Sequence, residues 1–449
     1  MNRKELGIPK HLPDRLAIAM WLWNWATDIQ KGEEFYDLEK AFKDLKERGF
    51  NAVRIDALWS WAYNIQGKPR GPVEIASPVE PGYTHYAAVL NTLGGIHIDS
   101  LKSILHFFEL AQKYDVYVAL SSWEYQEGHS LGLLADDNIR KEILGIPARE
   151  KPAYLAGQCD RLITEIKRNG FEKCIAYVEL HNEISYDYFG MVEPSDNNDY
   201  CKEQLENIEK ALSYLQQKHP GILFTDDHQV NMTEDRFFDL KTADITIKHF
   251  VKNAQALDHH LYVVGVQGRV YKELGFKGYI SLGNEIAFME ENLKNNEALS
   301  TLLRPDAPTW EQFKKHFRNE WFLSWWPIIY LYENMDVNAW DYLMFKYYPE
   351  YEKPMQNFWK NYIYYFYKEA QIRKVPLICD EGYIFYPPNN SNFETSAVGK
   401  KNFEFIIDHM LEADYWGIMV STYTQPECGL WKREPAWLKY INSKIIGKV

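Results

Sequence analysis

The chain has 449 residues, 46% of them hydrophobic and 25% charged, proportions of a folded globular protein that exclude a disordered tail, a collagen-like rod and a coiled coil. A net charge of −13 without a basic stripe excludes the clustered Lys and Arg of a phosphate-binding footprint, so no nucleic-acid partner is expected. Aromatic residues make up 15% of the chain, many beside polar ones, which suits either a surface for flat hydroxylated ligands or an unusually aromatic core.

In chain order, the first stretch holds Pro9 and Pro13 but neither an apolar run nor a small-residue cleavage site, so no signal peptide is read there. Short apolar runs then recur. They are Leu16 to Met20, Ala52 to Ile55, Val116 to Leu120, Ile175 to Leu180, Ile222 to Phe224, a segment between Ile245 and Val264, Pro376 to Ile378, and Gly417 to Val420. Each is continuous rather than alternating, the pattern of parallel strands covered on both faces. Between them Phe35, Leu38, Phe42 and Leu45 recur at helical spacing, as do Leu205, Ile208, Leu212 and Leu215, and Phe403, Ile406, Ile407 and Met410. Eight such units predict an α/β chain closed into a (β/α)8 TIM barrel, and no glycine-rich phosphate turn points to an open doubly wound sheet. The gap between the sixth and seventh runs is far longer than one crossover helix requires. Residues 285–370, helical in propensity and dense in Trp and Tyr, are therefore expected as an insertion within one catalytic domain spanning 1–449, part of it overhanging the barrel mouth.

Cys159, Cys174, Cys201, Cys379 and Cys428 are odd in number and scattered, which fits a reduced, cytoplasmic setting better than a disulfide framework. No uncharged run approaches the ~18 residues that cross a bilayer, so no membrane partner is expected.

Barrel chemistry sits at the C-terminal ends of strands. The second run ends in Arg54-Ile55-Asp56, the fourth in Glu179-Leu180-His181-Asn182-Glu183 and the seventh in Cys379-Asp380-Glu381-Gly382-Tyr383. Glutamates from opposite sides of a barrel can face each other across its mouth. A buried guanidinium is costly without carboxylate partners, so Arg54 is expected either to hold Glu381 ionised or to form a structural salt bridge with Asp56 or Asp380.

The GFNAVRI segment, the Asn182-Glu183 pair and Glu381 together resemble glycoside hydrolase clan A, specifically its cellulase-like (β/α)8-barrel members, in strand order over nearly the whole chain. The resemblance implies a retaining glycosidase acting on β-glycosidic bonds without a cofactor or metal ion, with Glu183 as acid/base, Glu381 as nucleophile and a carbohydrate substrate. It also implies that Asn182 bonds the sugar 2-hydroxyl and that His260-Leu261-Tyr262 is the His-x-Tyr of strand six, with the Tyr262 hydroxyl on the nucleophile. His249 is the alternative to His260, and His228 is a further candidate to line the site. Short oligosaccharides or glycosides are the expected substrates.

Sugar faces pack on aromatic rings, so the tryptophans after the first three strands are candidates for subsites. Trp23 and Trp123 are chosen among them, with Glu124 to bond sugar hydroxyls. The family's usual Trp at the end of strand eight is absent, and Tyr423 or Trp431 is the substitute. Two other readings stand beside this one: a sugar-binding barrel without turnover, and a metal-dependent hydrolase drawing on His249, His259, His260, Asp226, Asp227 and His228.

Overall fold

The computed structural model describes the chain apart from residues 1–2, 4, 81–91, 126–129, 184–197, 227–250, 263–264, 274–300, 319–329, 332, 384–387, 389, 423 and 449. Its eight barrel strands are β1 (Leu16–Leu22), β2 (Ala52–Asp56), β3 (Tyr117–Ser121), β4 (Ile175–Glu179), β5 (Phe224–Thr225), β6 (Leu257–Tyr262), β7 (Leu377–Tyr383) and β8 (Gly417–Met419). They pair in the order β5-β4-β3-β2-β1-β8-β7-β6, every pairing parallel. The seam between β5 and β6 is drawn together by the Gln255 N–H donating to the Phe224 carbonyl at 2.8 Å and the Thr225 hydroxyl donating to the Ala256 carbonyl at 2.9 Å. This is the (β/α)8 barrel expected from the apolar runs.

The helices that follow the strands are α1 (Leu38–Glu47), α2 (Ser100–Lys113), α3 (Lys151–Arg168), α4 (Asn198–Lys218), α5 (Gly265–Glu273), α6 (Val337–Arg373), α7 (Ala397–Glu412) and α8 (Pro435–Ile445). Aspartates begin two of the early ones: Asp37 accepts the Lys40 N–H and Asp99 the Lys102 N–H, each satisfying an otherwise orphaned first-turn donor. Helix α6 supplies the crossover into β7 and takes in most of the described part of 285–370. Its inner stripe, Met355, Trp359, Tyr362, Ile363, Phe366 and Ala370, is buried at helical spacing. Tyr362 donates to the His260 carbonyl at 2.9 Å, which ties this helix to β6.

Most strand boundaries differ by one or two residues from the sequence expectation, and two of the differences bear on the site. The fifth strand is Phe224–Thr225 rather than Ile222 to Phe224, and the seventh continues from Leu377 to Tyr383 instead of stopping at Ile378. Reading apolar character ends a strand at its first charge, whereas β7 carries Asp380 and Glu381 inside the barrel, still paired with β6. The alternative sixth-strand segment around His249 lies outside the described residues.

Candidate active site

Strand alternation builds the site. On β6, Asp258, His260 and Tyr262 point into the barrel, while His259 between them points out, its Nε2 2.7 Å from the Tyr415 hydroxyl and its ring stacked on Phe366 at 4.0 Å. On β7 alternation alone would send only one of two adjacent carboxylates inward. A register shift prevents that: Asp258 pairs with Ile378 but His260 with Glu381, so Cys379 and Asp380 together oppose His259. This bulge turns Asp380 and Glu381 to the interior side by side. Gly382 follows at φ +141, where an added Cβ would lie 2.5 Å from the Leu261 carbonyl oxygen, a position only glycine occupies without displacement.

Arg54, fully buried, is the centre of the arrangement. Its Nη1 donates to Glu381 Oε1 at 2.5 Å and its Nη2 to Glu179 Oε2 at 2.5 Å and Asn182 Oδ1 at 2.6 Å. Its Nε lies 3.0 Å from Asp380 Oδ2 and 3.1 Å from Glu179 Oε2, and its guanidinium sits 4.5 Å over the Trp123 ring. Burial alone would lower the pKa of Arg54, but Asp380, Glu179 and Glu381 overcome that effect and hold it protonated. Arg54 thus bonds Glu381 and also ion-pairs with Asp380, while Asp56 instead accepts the Leu58 N–H.

Glu381 is fixed at both oxygens, by Arg54 on Oε1 and by the Tyr262 hydroxyl at 2.7 Å on Oε2. Tyr262 is 2.9 Å from the Thr422 hydroxyl, which in turn accepts the Gly382 N–H at 2.8 Å. Burial raises the Glu381 pKa above the ordinary carboxyl range, with His260 and Arg54 restraining the rise and Glu183 adding to it. Glu183 follows β4 with its backbone at φ +48, a conformation that costs a non-glycine residue about 1–3 kcal/mol and persists where surrounding contacts impose it. Here the Asn182 N–H donates to the Ser122 carbonyl at 2.8 Å, pinning the turn. The side chain of Glu183, 18% exposed, brings Oε1 within 2.9 Å of His260 Nδ1. One carboxylate oxygen of Glu183, one of Glu381 and a ring nitrogen of His260 all lie within 4.8 Å of each other.

Beneath this pair lies an acidic layer that the strand-end reading did not assign to the site. Asp380 accepts the Tyr177 hydroxyl at 2.6 Å, and Glu179, Asp258 and Asp380 each bring an oxygen within 4.8 Å of the others. Burial would raise Asp380, but Arg54, His260 and Tyr177 take it well below the usual carboxylate range; Glu179 is raised by burial against the pull of Arg54. A signal was available in the sequence: Tyr177 and Glu179 stand two apart within one apolar run, hence on one face of β4.

Three residues expected on the ligand are buried around the strand ends. Trp23 and Trp123 are 0% and 1% exposed, edge-to-face with centroids 6.4 Å apart, and Trp123 supports Arg54. The Glu124 carboxylate accepts from the Ser60 N–H at 2.5 Å and the Ser122 hydroxyl at 3.1 Å, and burial together with nearby Asp56 pushes its pKa up to about 8. Large rings beside a strand end fill the space between barrel and helices as readily as they face a ligand, and sequence does not separate the two. Trp431 is also occupied elsewhere, stacked on Phe50 at 5.9 Å with Arg48 above it at 4.5 Å. His228 and Tyr423 lie outside the described residues.

The oxygen and nitrogen donors of Glu183, His260 and Glu381 are of a kind that binds divalent cations. The guanidinium 2.5 Å from Glu381 already supplies the positive charge there, and a second cation on the same carboxylate would be repelled.

The sequence profile of the family described as "Cellulase-like: Sugar-binding cellulase-like" matches residues 18–312. The chain belongs to this cellulase-like family. No curated protein matches the chain. Among solved structures, a Parabacteroides distasonis protein described as a glycoside hydrolase is 17% identical with a TM-score of 0.61, over 96% of this chain and 93% of that one. A glycoside hydrolase family 5 mannosidase from Rhizomucor miehei is 11% identical with a TM-score of 0.44, over 99% and 100%. The first likeness, at 17% identity, establishes that this cellulase-like chain shares that protein's fold. Among its described residues no helix is long and apolar enough to cross a membrane.

Proposed function

We propose that this cellulase-like barrel is a retaining β-glycosidase for short oligosaccharides or glycosides. The observation that carries the reading is that one oxygen of Glu183 and one of Glu381 lie within 4.8 Å of each other, both beside His260 Nδ1. Retaining enzymes place their two carboxyls about 5–5.5 Å apart, and inverting ones leave about 6.5–9.5 Å for a water molecule. Glu381, held at both oxygens by Arg54 and Tyr262, is the nucleophile that attacks the anomeric carbon. Glu183, partly exposed, gives a proton to the departing glycosidic oxygen and then takes one from the water that hydrolyses the glycosyl-enzyme. Asn182, its carbonyl oxygen taken by Arg54, offers its amide nitrogen to the sugar 2-hydroxyl.

The test is a panel of nitrophenyl β-glycosides of gluco, manno, galacto, xylo, fuco and uronic configuration. Glu183→Ala and Glu381→Ala should each lower turnover by several orders of magnitude, with azide rescuing Glu381→Ala as a product of inverted anomeric configuration. Near-parental activity in both variants on every substrate the parent cleaves would refute the reading. The family description "sugar-binding" favours a second one, a barrel that binds without turnover, which saturable sugar binding with no product release would support. Activity unchanged by a chelator separates the glycosidase reading from metal-dependent hydrolysis.

A further inference from the structure

His260 stands between two acidic groups that differ in role. Its Nδ1 is 2.9 Å from Glu183 Oε1 and 3.4 Å from Glu381 Oε2, while Nε2 on the other edge of the ring faces Asp380 Oδ1 at 3.5 Å, an electrostatic contact longer than a hydrogen bond. Among the described residues Glu179, Asp258 and, behind the acids, Arg54 belong to the same charged surroundings. Asp380 is anchored as an anion by Arg54 Nε at 3.0 Å and the Tyr177 hydroxyl at 2.6 Å, and it reaches this place only because of the β7 bulge.

We propose that Asp380 is a positioning residue for the reaction, acting through His260: its carboxylate keeps a proton on Nε2, so that Nδ1 shares a proton with Glu183. An unprotonated Nε2 would turn its lone pair toward a carboxylate 3.5 Å away, so the ring keeps its proton on that edge. Nδ1 is then the nitrogen that accepts from Glu183 when Glu183 is the acid. When Nδ1 is itself protonated, it donates to the Glu183 carboxylate. The proton that Glu183 gives to the leaving oxygen in the first step returns from the attacking water in the second, so His260 neither gains nor loses one over the cycle. Glu183 and His260 titrate as one unit, and the negative charge of Asp380 makes that unit hold its last proton to higher pH.

This inference rests on the assignment of Glu183 and Glu381 above, and two measurements test it. In the parent protein labelled with nitrogen-15 histidine, two-bond proton–nitrogen correlations, with His260→Asn identifying the signal, should show Nε2 protonated throughout the active pH range. A bare Nε2 overturns the proposal. In the pH profile of kcat/KM on the aryl glycoside the parent cleaves fastest, Asp380→Asn should move the alkaline limb down by about one pH unit, the size of shift an adjacent charge produces. That shift should vanish when Asp380→Asn is placed in a His260→Asn background. A limb that stays in place, or that moves equally in both backgrounds, overturns the role through His260; a merely structural residue would lower kcat without moving the limb. Full turnover in Glu183→Ala would instead sink the underlying assignment, whereas lost turnover there beside an unmoved limb sinks Asp380 alone.

Discussion

Replacing Arg54 with Met keeps an unbranched apolar stem and removes the guanidinium bound to Glu179, Asp380 and Glu381. Breaking a buried ion pair from one side costs about 3–5 kcal/mol, a large part of the roughly 5–15 kcal/mol that holds a folded protein together. The cost should depend on pH, with a sign fixed by the site. In the parent, Asp380 has a folded-state pKa below its unfolded value, so its contribution is present above the unfolded pKa and is lost as pH falls through the folded one. In Arg54→Met the buried acids lose their cation, and desolvation raises their folded pKa values. Their contribution is then greatest below the unfolded pKa and declines as pH rises toward the folded one. Each carboxyl that keeps a proton only when folded costs about 1.4 kcal/mol per pH unit, or about 2.7 kcal/mol between about pH 5 and about pH 7. Urea unfolding followed by tryptophan fluorescence at those two pH values, beside turnover, reads the effect. Arg54→Met should be inactive near neutrality and markedly less destabilised at the lower pH. A stability loss of equal size at both pH values would refute the argument that Arg54 acts as the counter-charge of this layer.

Tyr262→Phe removes the 2.7 Å bond to Glu381 and should reduce kcat/KM about ten- to a hundredfold, the worth of a hydrogen bond to a charged group, with circular dichroism unchanged. Gly382→Ala places a methyl 2.5 Å from the Leu261 carbonyl oxygen at φ +141, so Glu381 must shift; a displacement of about 1 Å costs on the order of a hundredfold in kcat, and parental kcat would count against the bulge as the device that aims the nucleophile. Glu124, with its pKa pushed up to about 8, contributes stability that is present below its unfolded pKa and lost as pH rises through about 8. Glu124→Gln should flatten that alkaline decline in melting temperature, and an unchanged slope would show that Glu124 is not the group responsible.

Much of the site was legible because its chemistry is written in residue types placed directly after apolar runs. Arg54, His260, Tyr262 and Glu381 stand within the last three residues of their strands and Asn182 and Glu183 just beyond theirs, and the structure gathers these six within one network of contacts. Trp21, Trp25, Trp59 and Trp61 are as fully buried as any aliphatic core residue, so aromatic content near a strand end measures packing as well as recognition.

The sequence alone determined the alternation of apolar strand and amphipathic helix, and with it the barrel, because local periodicity governs which faces must be covered. Only the tertiary structure decided that Asp380 turns inward beside Glu381, and that Arg54 serves carboxylates 125 and 327 residues away in the chain. Register between neighbouring strands and the balance of charge in a closed interior are set by partners distant in sequence, and no window along the chain contains them.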